Sequence, residues 1–155
     1  MVGTTNTGKS TVLNKLTGTK IKIEQYEYST KKPEIGILDY HGIKLQLVEI
    51  PSLFENFENS DMGPTYLAMI KQSDLLIIFF NTPKEKKLID DELAKAEIHT
   101  TIIIYNNQER LPDEIWKRLH IIKVQTKMPG KKPTYPPIAL KEGSTIRDLA
   151  VHVHK

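Results

Sequence analysis

Cysteine is absent from the 155-residue chain, which removes disulfides, thiolate zinc sites and thiol nucleophiles from consideration. Long apolar runs are missing too. The longest, Leu75 to Phe80, has six residues, far short of the roughly twenty that a membrane-spanning helix needs. The first residues lack the charged-then-apolar pattern of a secretory signal, so the sequence is read as soluble and cytoplasmic, with no membrane partner. Neither sign of charge dominates: 22 Lys and Arg face 19 Asp and Glu, a net +3. Bulk charge therefore gives no argument for nucleic acid, and any basic surface is local. Aromatic residues are few, at 7%, but a hydrophobic content of 39% suffices for a buried core. The length suits one ordinary domain, or one small domain and part of another.

What is present begins at Gly3. Residues 3 to 10 read GTTNTGKS, and the following TVLNKLT places Val12, Leu13 and Leu16 on one helical stripe, with Gly18 as a C-cap. The pattern Gly-x4-Gly-Lys-Ser arises by chance roughly once in a couple of hundred chains of this length. Its position at the start of an amphipathic helix sharpens it. Backbone N–H groups from Asn6, Thr7, Gly8, Lys9, Ser10 and Thr11 can curl around a phosphate at the helix's positive end. Lys9 would reach the β- and γ-phosphates, and the Ser10 hydroxyl would ligate Mg²⁺. The bland alternative is a glycine turn beside an exposed lysine.

Further along, Gly36 to Tyr40 and Lys44 to Ile50 flank the turn pair His41-Gly42 and predict an antiparallel hairpin. A helix is expected over Pro64 to Gln72, a buried strand over Leu75 to Phe80, a charged helix over Glu85 to Glu97, and another buried strand over Thr101 to Tyr105. Strands alternating with helices predict an α/β fold, a mainly parallel sheet flanked by helices, with its site at the strands' C-terminal ends. After a short helix from Asp113 to Leu119 the composition changes. Strands at Ile121 to Lys127 and Ile138 to Leu140 bracket a proline-rich loop, and Thr145-x-x-Asp148 is a capping box opening a helix to His154. This puts a boundary near residue 120, dividing 1–120 from 121–155.

At this point the chain resembles the Obg/DRG branch of P-loop GTPases, whose members often carry a C-terminal TGS domain. The block GTTNTGKSTVLNKLTG is similar to that family's phosphate loop and first helix. Tyr26 to Gly36 resembles switch I, in which Thr30 would close over Mg²⁺ and the γ-phosphate. KLQLVEIPSL, Lys44 to Leu53, resembles the third strand and switch II. The tail from Ile121, with KMPGKKP and IALKEGSTIRDLAVHVHK, is similar to the opening half of a TGS domain, a partial β-grasp. The resemblance implies a GTP- or GDP-binding protein that uses Mg²⁺, hydrolyses weakly, and works with a ribosome, RNA or regulatory protein partner.

The departures from that pattern carry expectations of their own. Asp-x-Pro-Gly becomes Glu49-Ile50-Pro51-Ser52. Glu49 would still hold a Mg²⁺-bound water, with an extra methylene to absorb, while Ser52 puts a side chain where a glycine amide should meet the γ-phosphate, weakening the switch. Leu53 is apolar rather than a water-orienting glutamine, which is usual in this branch and implies catalysis by another arrangement or an activator; since phosphoryl transfer needs positioned water and charge stabilisation, no catalytic base is named. The Asn-Lys-x-Asp clamp reads Asn106-Asn107-Gln108-Glu109. Asn106 and Glu109 remain candidates for guanine, but Asn107 cannot supply a stacked lysine stem. The stretch from Tyr105 to Ile121 is too short for the rest of a GTPase domain, so the base would be held from one side. Only Met1 and Val2 precede Gly3, where a buried central strand is expected. Losing that strand would leave the loop unanchored, so either the polypeptide begins upstream or the site is compromised; the TGS-like part stops at Lys155 just after its helix, and both ends look clipped.

Other candidates are weaker. His152 and His154 face different sides of a helix, and His41, His99 and His120 have no partner at ligand spacing. Asp90-Asp91-Glu92 reads as a solvated helix face among lysines. Lys127, Lys131, Lys132 and Tyr135 form a basic loop with one aromatic, suited to an RNA contact or to a plain linker. The rival functional reading is a degenerate, non-hydrolysing adaptor that binds RNA or protein through the scaffold and the TGS-like segment.

Overall fold

The computed structural model describes residues 1–18, 32–107 and 109–153. In chain order the elements are β1 (Val2–Gly3), α1 (Lys9–Thr17), β2 (Glu34–Tyr40), β3 (Ile43–Glu49), α2 (Gly63–Lys71), β4 (Leu76–Phe79), α3 (Pro83–Lys95), β5 (Ile102–Ile104), α4 (Leu111–Arg118), β6 (Ile121–Val124), β7 (Ile138–Lys141) and α5 (Ile146–Val153). Strands β1, β4 and β5 form a parallel sheet in the order β1-β4-β5. β2 and β3 pair antiparallel across His41 and Gly42. Both turn residues have positive φ, 52° and 89°, the sense that matches the twist of the flanking strands.

Period-two alternation along β4 sets the layers. Leu76 and Ile78 point to one face, where they pack with Val2, Ile50, Phe57, Leu67 and Ile70 and with Ile89 and Leu93 of α3. Ile77 and Phe79 point to the other, against Val12 and Leu13 of α1, Leu38 and Leu47 of the hairpin, and Leu111 and Ile115 of α4. β4 is thus apolar throughout because both of its faces are covered. α3 starts where Thr82 caps it, its side chain accepting the Glu85 N–H while Glu85 accepts the Thr82 N–H. No helix among the described residues is long and apolar enough to cross a membrane.

Three expectations need correction. The strand over Thr101 to Tyr105 is not buried throughout: Ile103 faces the core, but Ile102 and Ile104 are 37% and 45% exposed, since β5 is the outer strand of its sheet. The phosphate loop is not unanchored. Val2 and Gly3 align with Ile78 and Phe79, while Ile50 N–H donates to Met1 O and Leu53 N–H to Gly3 O, both at 3.0 Å. Residues 1 to 3 are therefore held on either side. Glu92 is not on a solvated face but is 3% exposed. Switch I from 26 to 31, Thr30 included, Gln108 and His154 lie outside the described residues.

The C-terminal strands form their own two-stranded antiparallel sheet, with Ile122 opposite Leu140. The capping box is made: Asp148 Oδ2 accepts the Thr145 N–H at 2.7 Å, and Thr145 Oγ1 accepts the Asp148 N–H at 3.3 Å. This part meets the first at the hairpin tip, where a Cβ on Gly42 would lie 2.8 Å from Pro137 Cδ and 2.9 Å from the Tyr135 ring. On the same hairpin, Tyr40 stacks on Trp116 at 5.1 Å and donates to Asp113 at 2.8 Å.

Candidate phosphate-binding site

The loop between β1 and α1 turns on two residues in the left-handed region, Asn6 at φ 58° and Gly8 at φ 84°. Such alternation turns successive backbone N–H groups toward one side. α1 then begins at Lys9 with no acidic residue in its first turn, leaving its unpaired N–H groups and positive dipole end to an anion. Thr7 Oγ1 donates to Thr4 O at 3.0 Å and closes the loop from inside. Gly3 lies so close to β4 that a Cβ there would sit 2.3 Å from Phe79 O. That is why the first glycine of the pattern is a glycine.

Lys9 is 5% exposed. Its ammonium donates to Thr4 O at 2.7 Å, Gly3 O at 3.3 Å and Ser52 Oγ at 3.4 Å. Next to it, Ser10 Oγ donates to Glu49 Oε1 at 2.8 Å. The sequence separation is large, and the β3 terminus brings the two together. Glu49 Oε2 is buried and has no hydrogen-bond partner among the described residues. A bare carboxylate oxygen beside a serine hydroxyl is a hard oxygen donor set of the kind Mg²⁺ takes through one or two protein groups and several waters. The residues present fit that ion, with Ser10 and Glu49 as its protein-side contacts.

Asn106 and Glu109 follow β5, at the same end of the parallel sheet as the loop that follows β1. Both are exposed. Asn107 is in the left-handed region at φ 64°, and its Oδ1 accepts the Tyr105 hydroxyl at 3.1 Å, with the Tyr105 ring stacked on Phe79 at 4.6 Å. The chain moves straight from this loop into α4, which covers the α1 face of the sheet. Among the described residues no group of three His, Asp or Glu side chains is placed to hold a metal.

Two residues gained a place that the sequence reading did not give them. Ser52, expected only to weaken the switch, puts a hydroxyl against Lys9. Glu92 accepts Asn56 N–H at 3.0 Å, Phe57 N–H at 2.9 Å and the Lys95 ammonium at 2.7 Å. The signal for Glu92 was available, since it falls three residues after Ile89 and one before Leu93, on the apolar stripe of α3.

A glycine loop rooted in a parallel strand and opening a helix, with its lysine and serine facing an acidic strand end, is the architecture of a P-loop nucleotide-binding domain. Comparison with known proteins narrows the class. The model of the family described as 50S ribosome-binding GTPase matches residues 1–108, and the chain belongs to that family; membership supports GTP binding. The Developmentally-regulated GTP-binding protein 1 homolog of Dictyostelium discoideum is 33% identical over 97 residues, 60% of this chain and 26% of that protein. Ribosome-interacting GTPase 1 of Saccharomyces cerevisiae is 32% identical over 101 residues, 63% of this chain and 27% of that protein. GTPase Obg of Mycoplasma genitalium is 38% identical over 78 residues, 50% of this chain and 18% of that protein. The matched stretch therefore spans between 18% and 27% of these relatives' own length.

Proposed function

We propose that the chain binds GTP or GDP with Mg²⁺ through Asn6, Thr7, Gly8, Lys9, Ser10 and Thr11, with Ser10 and Glu49 toward the metal. The observation that carries this reading is the Ser10–Glu49 hydrogen bond with the bare second oxygen of Glu49 beside it. When bound, Mg²⁺ would neutralise charge on the terminal phosphates. Lys9 would turn its ammonium from loop carbonyls to phosphate oxygens, and the loop N–H groups would hold the chain of phosphates in register. Thr30 would complete the site from switch I, and Asn106 and Glu109 would contact the base weakly. Hydrolysis is slow, because Leu53 is apolar and cannot orient water, and faster turnover calls for another arrangement or an activator.

The partner in this reading is the ribosome or its RNA, with 1–120 as the nucleotide unit and 121–155 as a partial TGS-like unit. The support is the family itself, the name of the yeast relative, Ribosome-interacting GTPase 1, and the strand, strand, helix order of β6, β7 and α5. Lys127, Lys131 and Lys132 are exposed beside Tyr135, itself 73% exposed, on a loop closed by the Thr126–Thr134 bonds.

Calorimetry with GTP, GDP and ATP, each with and without Mg²⁺, tests the proposal. Guanine-selective, Mg²⁺-dependent binding lost in Lys9→Ala is the expected result; equal affinity for ATP removes the guanine part. A second reading, the non-hydrolysing adaptor for RNA or protein, draws on the engagement of the Lys9 ammonium by Thr4, Gly3 and Ser52. Heat-silent titrations with all three nucleotides favour it.

A further inference from the structure

Ser52 stands where the GTPase pattern has glycine, yet it is not among the residues with positive φ. Glycine's freedom is therefore not required here, and a side chain is carried without backbone strain. Its hydroxyl lies 3.4 Å from Lys9 Nζ, the longest of the three contacts to Thr4, Gly3 and Ser52. The flanking chain is fixed on both sides. Glu49 is tied to Ser10, and Leu53 N–H is tied to Gly3 O, the same carbonyl that accepts from Lys9. Ser52 is thus presented to the ammonium that a terminal phosphate would claim, by a segment stitched to the phosphate loop at the residue after it.

We infer that Ser52 selects the terminal phosphate: its hydroxyl accepts from Lys9 when that position is empty and donates to a terminal phosphate oxygen when a nucleoside triphosphate fills it. The inference rests on the phosphate-loop reading above. A hydroxyl suits the role because it can both accept and donate, and exchanges one for the other by rotation alone. A glycine there would offer only the backbone amide, which donates and cannot accept. A diphosphate leaves Ser52 on Lys9 and gains nothing from it, so the side chain contributes to the difference between the two ligands and not to their shared part. One hydrogen bond to a charged group makes that difference about tenfold in affinity or more.

The test is calorimetric titration of the wild type, Ser52→Ala and Ser52→Thr with Mg-GTP and Mg-GDP at one salt concentration, with circular dichroism to verify folding. The wild type is expected to prefer GTP. Ser52→Ala is expected to lower the GTP-to-GDP affinity ratio about tenfold, through GTP alone, and Ser52→Thr, which keeps the hydroxyl, to restore it. An unchanged ratio in Ser52→Ala, an equal loss for both nucleotides, or a threonine variant that behaves like the alanine one overturns the inference while leaving the nucleotide site standing. A wild type that binds neither ligand overturns the phosphate-loop reading, and the role of Ser52 with it.

Discussion

Glu92, a carboxylate on α3, accepts the backbone N–H of Phe57 at 2.9 Å from a position 3% exposed to solvent. The same group accepts from Asn56, whose φ of 59° turns the chain there. One side chain thus fixes the middle of the segment that leads from Ser52 to α2. Removing it leaves two N–H groups without this acceptor, that of Phe57 in a buried place. Glu92→Ala is therefore expected to cost about 1–3 kcal/mol, measured by urea unfolding, and Glu92→Gln, which keeps one acceptor oxygen, to cost less. A loss too small to resolve in the alanine variant would show that water satisfies the two amides.

Acid should reveal the same group. Burial alone would raise the Glu92 carboxyl, but the Lys95 ammonium and the Asn56 and Phe57 amides outweigh it and hold the group below its ordinary value. A depressed folded-state value means that the stabilisation is complete above the ordinary value and disappears as pH falls through the lower, folded one. Unfolding free energy of the wild type is expected to fall more steeply toward about pH 3 than that of Glu92→Gln. Parallel curves would assign acid sensitivity to other carboxylates.

Gly3 and Gly8 are both glycines of the phosphate loop, and they should fail differently. At Gly3 a Cβ meets a backbone oxygen of β4, which cannot swing aside, so Gly3→Ala is expected to cost about 3 kcal/mol by overpacking. At Gly8 the surroundings are open, and only the left-handed backbone resists, so Gly8→Ala should cost about 1–2 kcal/mol. Thermal unfolding of the two variants compares them. A milder effect at Gly3 than at Gly8 would mean that β1 can move away from β4.

Gly42 joins the two parts of the chain. Its φ of 89° and the nearness of Tyr135 and Pro137 both oppose a side chain. Gly42→Val is expected to lower stability by about 1–2 kcal/mol and to speed proteolysis of the stretch from 126 to 137. Cleavage at the wild-type rate would show that the contact does not hold that stretch.

The metal prediction turns on Glu49. With its bare oxygen removed in Glu49→Ala, chelation by EDTA should no longer weaken GTP binding, whereas the wild type should lose affinity on chelation. Paired titrations read this directly, and an equal chelator effect in both proteins would move the metal away from Glu49.

The sequence announced the loop at Gly3 to Ser10, the hairpin turn at His41-Gly42 and the capping box at Thr145, because each rests on a local pattern: a glycine spacing, a turn pair, a hydroxyl three residues from a carboxylate. It did not reveal that Ile102 and Ile104 are partly bare, since a run of isoleucines reads the same in a central strand and in an outer one. Glu92 was lost among its charged neighbours, as composition outweighed its place on the apolar stripe. The tie of residues 1 to 3 to β4 and to the chain just after β3 was invisible too, because the pairing with β4 and the hydrogen bonds from Ile50 and Leu53 belong to tertiary order and leave no trace near residue 2. Of the site, Lys9, Ser10 and Glu49 were all named from the sequence. Only the side-chain geometry showed what Ser52 faces.

Val2 and Gly3 are held by neighbours that are remote in the chain. These come from about fifty and about eighty positions further along, so chain closure on that scale must precede any ordering of the loop. The phosphate cradle thus exists only where distant parts of the chain have closed on one another, and an anion held there supports that whole arrangement by linkage.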